Sequence, residues 1–460
     1  MTINNVAVTR ARKYPSLTPY HPSNLYPEYP FDSLSEESNE VYDGIRNIFC
    51  MLGLDKENCG TRKWNPLGCI IKPGMTVVLK PNFVIDRHDG GGDLFSIITH
   101  ASVLRAIIDY CWIARAGRII IADAPQYNCN FYNLIEKTGL DKVVDFYGGC
   151  VELVDLRSYW SKGKHFPSSM IPLPGDPKGS ITFDLGRNSA LYGIDRKIYG
   201  AFYDRSELAS YHHGNVHKYE ISRTVWDADV VISVPKLKTH KKVGVTLNAK
   251  NLVGTCTNKN CLVHYSLGST KNGGDQYPPG LFNPIEKCLI KTERLMYDCL
   301  LGTRNPVLEK VHRSIYWVHN HTTRKLGLKV NERKRALDAG NWYGNDSAWR
   351  MVYDLCSIFN QGSFATFSVI DGVVAGQGNG PLLPDKKKAG ILLGGKNLLL
   401  TDLIAIKVMG LNYKNLKVYK HRKGLPNRGI PNRVRVITDD TWASVPLYFE
   451  PPDYWSVNWR

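Results

Sequence analysis

No stretch of this 460-residue sequence approaches the roughly 18 consecutive apolar residues that a membrane-spanning helix needs. The opening residues, MTINNVAVTRARKYPS, lack an apolar core followed by a small-residue cleavage site, so no secretory signal is read there. The eleven cysteines are spread from Cys50 to Cys356 without a C-x-x-C pair, and the closest two are Cys256 and Cys261. Such spacing excludes an iron–sulfur cysteine motif and, without a secretory signal, a disulfide scaffold; buried reduced thiols are expected. No G-K-[ST] closes a phosphate loop, no G-x-G-x-x-G opens a helix, and no Ser-His-Asp motif or nucleophile elbow is present. The cofactor is therefore unknown, and the expected location is cytoplasmic.

Acidic charge is also in short supply. Forty-two Asp and Glu face 59 Lys and Arg, a formal net charge of +17. That balance attracts anionic substrates, anionic lipid surfaces or nucleic acid. Charge alone supports nucleic acid, without a recognised binding motif, so that partner is the least expected. Much of the excess is local: residues 284–335 hold twelve Lys/Arg against five Asp/Glu. With 43% hydrophobic and 11% aromatic residues, the chain is not mostly disordered. Its length exceeds one ordinary core and suggests a large domain with insertions, or two lobes.

Along the chain, residues 1–40 are rich in Pro, Tyr and Ser and read as an extended arm. A helix is expected near Glu40–Leu54, then a strand at Thr76–Lys80 and a helix at Thr99–Ala114. A strand at Arg118–Ala122, a helix at Asn133–Phe146 and strands at Cys150–Leu156 and Asp229–Val234 continue the rhythm. Glu286–Leu326 reads as one or two basic amphipathic helices. The last third returns to strands at Phe367–Asp371 and Ala389–Gly395 and a helix at Leu399–Met409. The alternation defines an α/β fold with a mostly parallel sheet covered by helices, a basic helical insertion and a second α/β lobe. The expected divisions are an arm at 1–40, an α/β part at 41–283, the insertion at 284–340, a second α/β part at 341–425 and a tail at 426–460.

In open parallel sheets, ligands bind beyond the carboxyl ends of the strands. Four strands here run into polar residues: Lys80-Pro81-Asn82, Asp123-Ala124-Pro125, Pro235-Lys236-Leu237-Lys238-Thr239-His240, and Asp371-Gly372. The third stop is the richest, because VPKLKTHKKVGVTLNAKNLVG also carries Lys250, Asn248 and Asn251. Lys236 and Lys238 alternate and so share one side of an extended segment. Two neighbouring ammonium groups repel unless an anion lies between them, and crowding lowers a lysine pKa toward general-base or nucleophile use. The expected catalytic residues are His240 as acid–base group, Lys238 and an orienting Asp123. The expected substrate contacts are Lys80, Asn82, Lys236, Lys250, Asn251 and Asp371. Gly378, Asn379 and Gly380 join them, from a glycine-rich turn whose amides could approach an oxyanion. His264 is a further site candidate. His212, His213 and His217 read as a polar loop without a carboxylate at metal-ligand spacing, so no metal site is assigned.

These stretches (VVLKPN, IIIADAPQ, ADVVISVPKLKTHKKVGVTLNAKNLVG, GGDQYP, GNWYGNDSAWRMVYDL, IDGVVAGQGNGPL and GGKNLLLTDLIAIKVMG) resemble the domain of unknown function 362 family. They resemble in particular its long members found beside cell-surface polysaccharide genes, and they cover most of Val77 to Gly410. The resemblance implies no settled activity. Some relatives carry ferredoxin-like modules, whose cysteine run is missing here. Gln377, Gln276 and Lys396 stand where the resemblance implies acidic residues, which weakens a divalent-cation role, while Asp123, Asp371 and Asp402 remain. The expectation is an enzyme for a small phosphate- or carboxylate-bearing substrate, which the resemblance places in surface-polysaccharide metabolism. The alternative is a binding or assembly protein that meets an anionic polymer or membrane surface through 284–335.

Overall fold

The continuous apolar runs become strands because both faces of one sheet are covered. Val77 and Leu79 point into one core, whereas Val78, between them, points into the other. The computed structural model describes residues 4–161, 170–194, 197–200, 205–302, 305–325, 337, 339–421, 434–439, 446–455 and 459. Strands Ala365–Asn379, Val230–Val234, Thr76–Pro81, Arg118–Asp123 and Val151–Asp155 lie side by side, all parallel. Ile391–Gly395 joins Ala365–Asn379 in the antiparallel sense. Helices Glu40–Met51 and Ala101–Ile113 fill the core on one face; Ala348–Phe359 and Leu398–Val408 fill the other.

Several details differ from expectation, most of them because of pairings between distant segments. Among the described residues Ala365–Asn379 and Ile391–Gly395 extend the same sheet rather than building a second lobe. The arm is not peripheral: Asn4–Arg10 is a buried strand between Ile391–Gly395 and Val434–Thr438. The last of these lies in the segment expected as a tail, where Phe449, Trp455 and Trp459 are also buried. The helix expected at Asn133–Phe146 is two helices, Phe131–Thr138 and Leu140–Phe146, divided at Gly139 with φ +67°. Of the cysteines, Cys69, Cys150, Cys288 and Cys299 are exposed rather than buried.

The glycine-rich segment is strand rather than turn. It ends Ala365–Asn379, which pairs with Leu383–Lys387 and also runs beside Lys236–His240. Glycine serves close approach here: a Cβ on Gly380 would fall on the Thr239 carbonyl, and one on Gly376 on the Ser96 carbonyl. The basic insertion forms two helices, Pro284–Gly302 and Pro306–Lys325, packed against each other. Residues 326–336 of the expected insertion lie outside the described residues. Among the described residues, no helix is long and apolar enough to cross a membrane.

Candidate functional site

Parallel register brings the four polar strand stops to one rim, as the strand order requires. Two of the lysines there are already neutralised within the protein. Lys80 Nζ lies 2.7 Å from Asp123 Oδ1, and the other oxygen of Asp123 accepts the Phe83 amide at 2.7 Å. Lys236 Nζ lies 2.9 Å from Asp371 Oδ2 and donates to the Tyr14 hydroxyl at 2.6 Å. That hydroxyl in turn donates to Asp371 Oδ1 at 2.6 Å, and the His100 amide donates to Oδ2 at 3.0 Å. Both pairs are buried. Burial lowers the two lysine pKa values and the facing carboxylates oppose the shift. Burial drives the Tyr14 pKa well up, so the phenol keeps the proton that it donates to Asp371. These lysines and aspartates therefore hold the rim together, and neither carboxylate bonds to His240.

The other lysines are different. Lys238 is fully buried, and among the described residues its Nζ donates only to the Ile97 carbonyl, at 2.5 Å. Lys259 is buried and donates to the Val253 carbonyl at 3.0 Å. Lys250, partly exposed, ends the short helix Leu247–Asn251, and its ammonium has no ion pair or hydrogen bond among the described residues. His240 is buried among them: it feels the charges of Lys250, Lys242 and Lys238, and the ring of His264. The carboxylate whose charge reaches both Lys238 and Lys259 is Asp123, which is committed to Lys80. Among the described residues these buried lysines lack matching carboxylates, and charge buried without a partner is costly.

The protonation states follow from this crowding. Burial and then Lys259 push Lys250 down to about 7, and burial brings Lys259 to about 8. Burial, reinforced by Lys236 and Lys250, holds Lys238 well below the usual lysine range. Burial and the surrounding lysines hold His240 well below the usual imidazole range, so it is neutral at pH 7 and not poised to titrate there. Its Nδ1 accepts the Lys242 amide at 3.1 Å, which leaves the ring proton on Nε2 as a donor. Lys250 is the group placed to exchange protons near neutrality.

A pH dependence follows. Between about pH 7 and the ordinary lysine range, the unfolded chain binds more protons than the folded one. Ligand-free stability should therefore rise with pH across that window. Anion affinity should run the opposite way, falling as Lys259 and Lys250 lose their protons. Sulfate is the suitable probe, because its charge is constant over the range. Calorimetry at pH 8 in buffers of different ionisation enthalpy should show proton uptake on binding.

Asn251 locks the rim together. It donates to the Lys80 carbonyl at 3.0 Å and accepts from Asn82 at 3.2 Å and from Lys80 Nζ at 3.3 Å. Gly254 sits against the ion pair, where a Cβ would fall on Asp123 Oδ1 and Lys80 Nζ. Gly254→Ala should therefore cost about 1–3 kcal/mol of stability in denaturant titrations. The amide of Gly378 is taken by the Glu450 carbonyl at 3.0 Å, and Asn379 bonds Asp453. Gly380 packs on Thr239. The Thr239 hydroxyl donates to the Gly378 carbonyl at 2.7 Å, so this segment braces the lysine strand from alongside. Asp402 is also structural: it accepts the amides of Asn248 and Ala249 at 2.8 and 2.9 Å. Gln276 accepts the Gly268 amide, and Gln377 the Glu450 amide. Lys396 lies at the opposite end of the sheet, on a separate cavity of about 290 Å³ lined also by Asn248 and Asn397. His212 and His217 pair across a hairpin, and His212 Nε2 lies 2.8 Å from the Cys261 carbonyl oxygen.

Two further signals escaped the sequence. Val84 and Leu247 have φ of +36° and +45°, a region that branched and bulky residues avoid, and each lies within a few residues of a site asparagine. Thr246 Oγ1 and Asn82 Oδ1 are buried without a hydrogen-bond partner among the described residues. His264 was a candidate because it adjoins the segment of Lys259, but Lys259 itself was not among the expected site residues. The orphan hydroxyl could not have been found without coordinates.

The molecule is thus an α/β protein whose parallel strand ends enclose a buried cationic cluster. The chain belongs to the family described as Domain of unknown function (DUF362), whose model matches residues 77–174 and 179–407. Every lysine of the cluster falls inside the matched segments, while Tyr14 lies outside them. No curated protein and no solved structure matches the chain.

Proposed function

We propose that this protein is an enzyme that binds a small phosphate- or carboxylate-bearing substrate on Lys238, Lys250 and Lys259. One observation carries the reading: three lysines converge on a buried site without a carboxylate partner among the described residues, beside two lysines that each have one. In this reading the substrate anion supplies the missing negative charge, as Asp123 and Asp371 do for Lys80 and Lys236. The Nε2–H of neutral His240 donates to the substrate, and Lys250 transfers the proton, since its pKa of about 7 suits exchange at neutral pH. The gene association implied by the family resemblance makes sugar phosphates and sugar acids the first compounds to screen.

Calorimetric titration of the full chain with sulfate and with inorganic phosphate tests the binding step. Saturable binding is expected, weakened at least tenfold by Lys250→Gln, in line with losing a charged hydrogen-bond donor worth about 1.5–3 kcal/mol. Equal affinity in Lys250→Gln would remove this site from consideration. For the chemical step, product formation from a phosphorylated-sugar panel should be detected by mass spectrometry and vanish in the same variant.

A further inference from the structure

The helix Pro306–Lys325 is packed inside out. Its polar positions Glu309, His312, Tyr316 and His319 follow one helical stripe and are buried or partly buried, with Glu309 only 1% exposed. Its apolar stripe, Val307, Leu308, Val311, Ile315 and Val318, faces outward, and Val307 is 67% exposed. A surface helix normally does the reverse, burying its apolar stripe against the body. The neighbouring helix Pro284–Gly302 adds exposed Ile285 and Leu295. On Pro306–Lys325 the exposed apolar side chains recur at helical spacing and so form one stripe.

The charges around the stripe have one sign. Among the described side chains of the two helices, the exposed charged ones are Lys287, Lys291, Lys310 and Arg313. The acidic ones, Glu286, Glu293, Asp298 and Glu309, are partly or wholly buried, and Glu309 is paired with Arg313. Trp317, 64% exposed, stands at the margin of the apolar stripe and stacks on His321. An outward apolar face rimmed by lysines and edged by tryptophan matches the layering of a bilayer surface, with acyl chains below and anionic headgroups around. The hairpin is fixed to the body, as Tyr199 donates to Asp298 at 3.0 Å and Arg294 lies 5.4 Å from the Tyr265 ring centroid.

We propose that the Pro284–Lys325 hairpin is a docking surface for an anionic membrane. It lies flat with Val307, Val311, Ile315 and Val318 in the acyl boundary and Lys287, Lys291 and Lys310 among the headgroups. This inference stands apart from the anion site, and its test does not use that site. The full chain should float with vesicles of phosphatidylglycerol mixed with phosphatidylcholine and not with phosphatidylcholine alone, and salt should weaken the binding. Val311→Asp combined with Ile315→Asp should abolish flotation. Lys287→Ala with Lys310→Ala should weaken it about twenty-five-fold, at about fivefold per lysine. All four positions are solvent-exposed, so melting curves should be unchanged and a loss of flotation would not reflect unfolding. Absence of flotation, or equal recovery on neutral vesicles, overturns the proposal. So does a dimer seen by light scattering that Val311→Asp disperses, which would assign the face to a second copy of this chain.

Discussion

Asp371→Ala is expected to be the most damaging single substitution on the rim, lowering the unfolding free energy by about 3–5 kcal/mol. The reason is what it leaves behind. Lys236 is fully buried and has one carboxylate within ion-pair distance, so truncating Asp371 strands an ammonium in the interior. The Tyr14 hydroxyl and the His100 amide lose their acceptor in the same step. Asp371→Asn should cost less, because an amide oxygen still accepts from one of these donors. Adding Lys236→Met to Asp371→Asn should recover stability, since no unpaired charge remains. A double-mutant cycle in urea would measure this as a favourable coupling. Additive losses would mean that the pair does not function as an ion pair.

Lys238→Met should do the opposite to stability while removing function. Lys238 is held well below its usual pKa by burial, and its ammonium meets one carbonyl and no carboxylate among the described residues. Replacing it with an apolar side chain of similar length should raise ligand-free stability by about 1–3 kcal/mol. About 1 kcal/mol of that is offset when the Ile97 carbonyl loses its donor. Sulfate affinity should fall by about one to two orders of magnitude, the worth of a charged hydrogen bond. A thermal melt that rises without sulfate and no longer responds to it is the expected signature. A lower melt with unchanged sulfate response would show Lys238 to be a structural residue.

Much of the α/β frame was legible because its strands are buried on both faces. TVVLK, RIIIA and DVVISV declare themselves by uninterrupted β-branched and aliphatic residues. The rim was legible for the same reason, since parallel strands align their carboxyl ends. What the residues opposite one another do there was not legible. Lys80 and Asp123 lie 43 positions apart in sequence, and only the register that sets Leu79 beside Ile121 brings the lysine to the aspartate. Of the lysines expected as substrate contacts, Lys80 and Lys236 thus each meet a carboxylate of the protein itself. The NNVAVTR strand was hidden because it is short and forms only by pairing with segments near the other end of the chain. The glycine run read as a turn because glycine serves equally where backbones cross closely, and Thr239 is what it meets.

The N-terminal strand has a consequence for the growing chain. Val6 pairs with Gly395 and with Val436, so its partners leave the ribosome about 390 and 430 residues after it does. At about 5–20 residues per second, the wait is roughly twenty seconds to over a minute. During that interval Asn4–Arg10 is an unsatisfied β-edge, and Tyr14, which follows it, has no Lys236–Asp371 pair to join. A chain stalled before Ile391 should accordingly lack protection from proteolysis at its first residues, whereas release of the full chain should restore it.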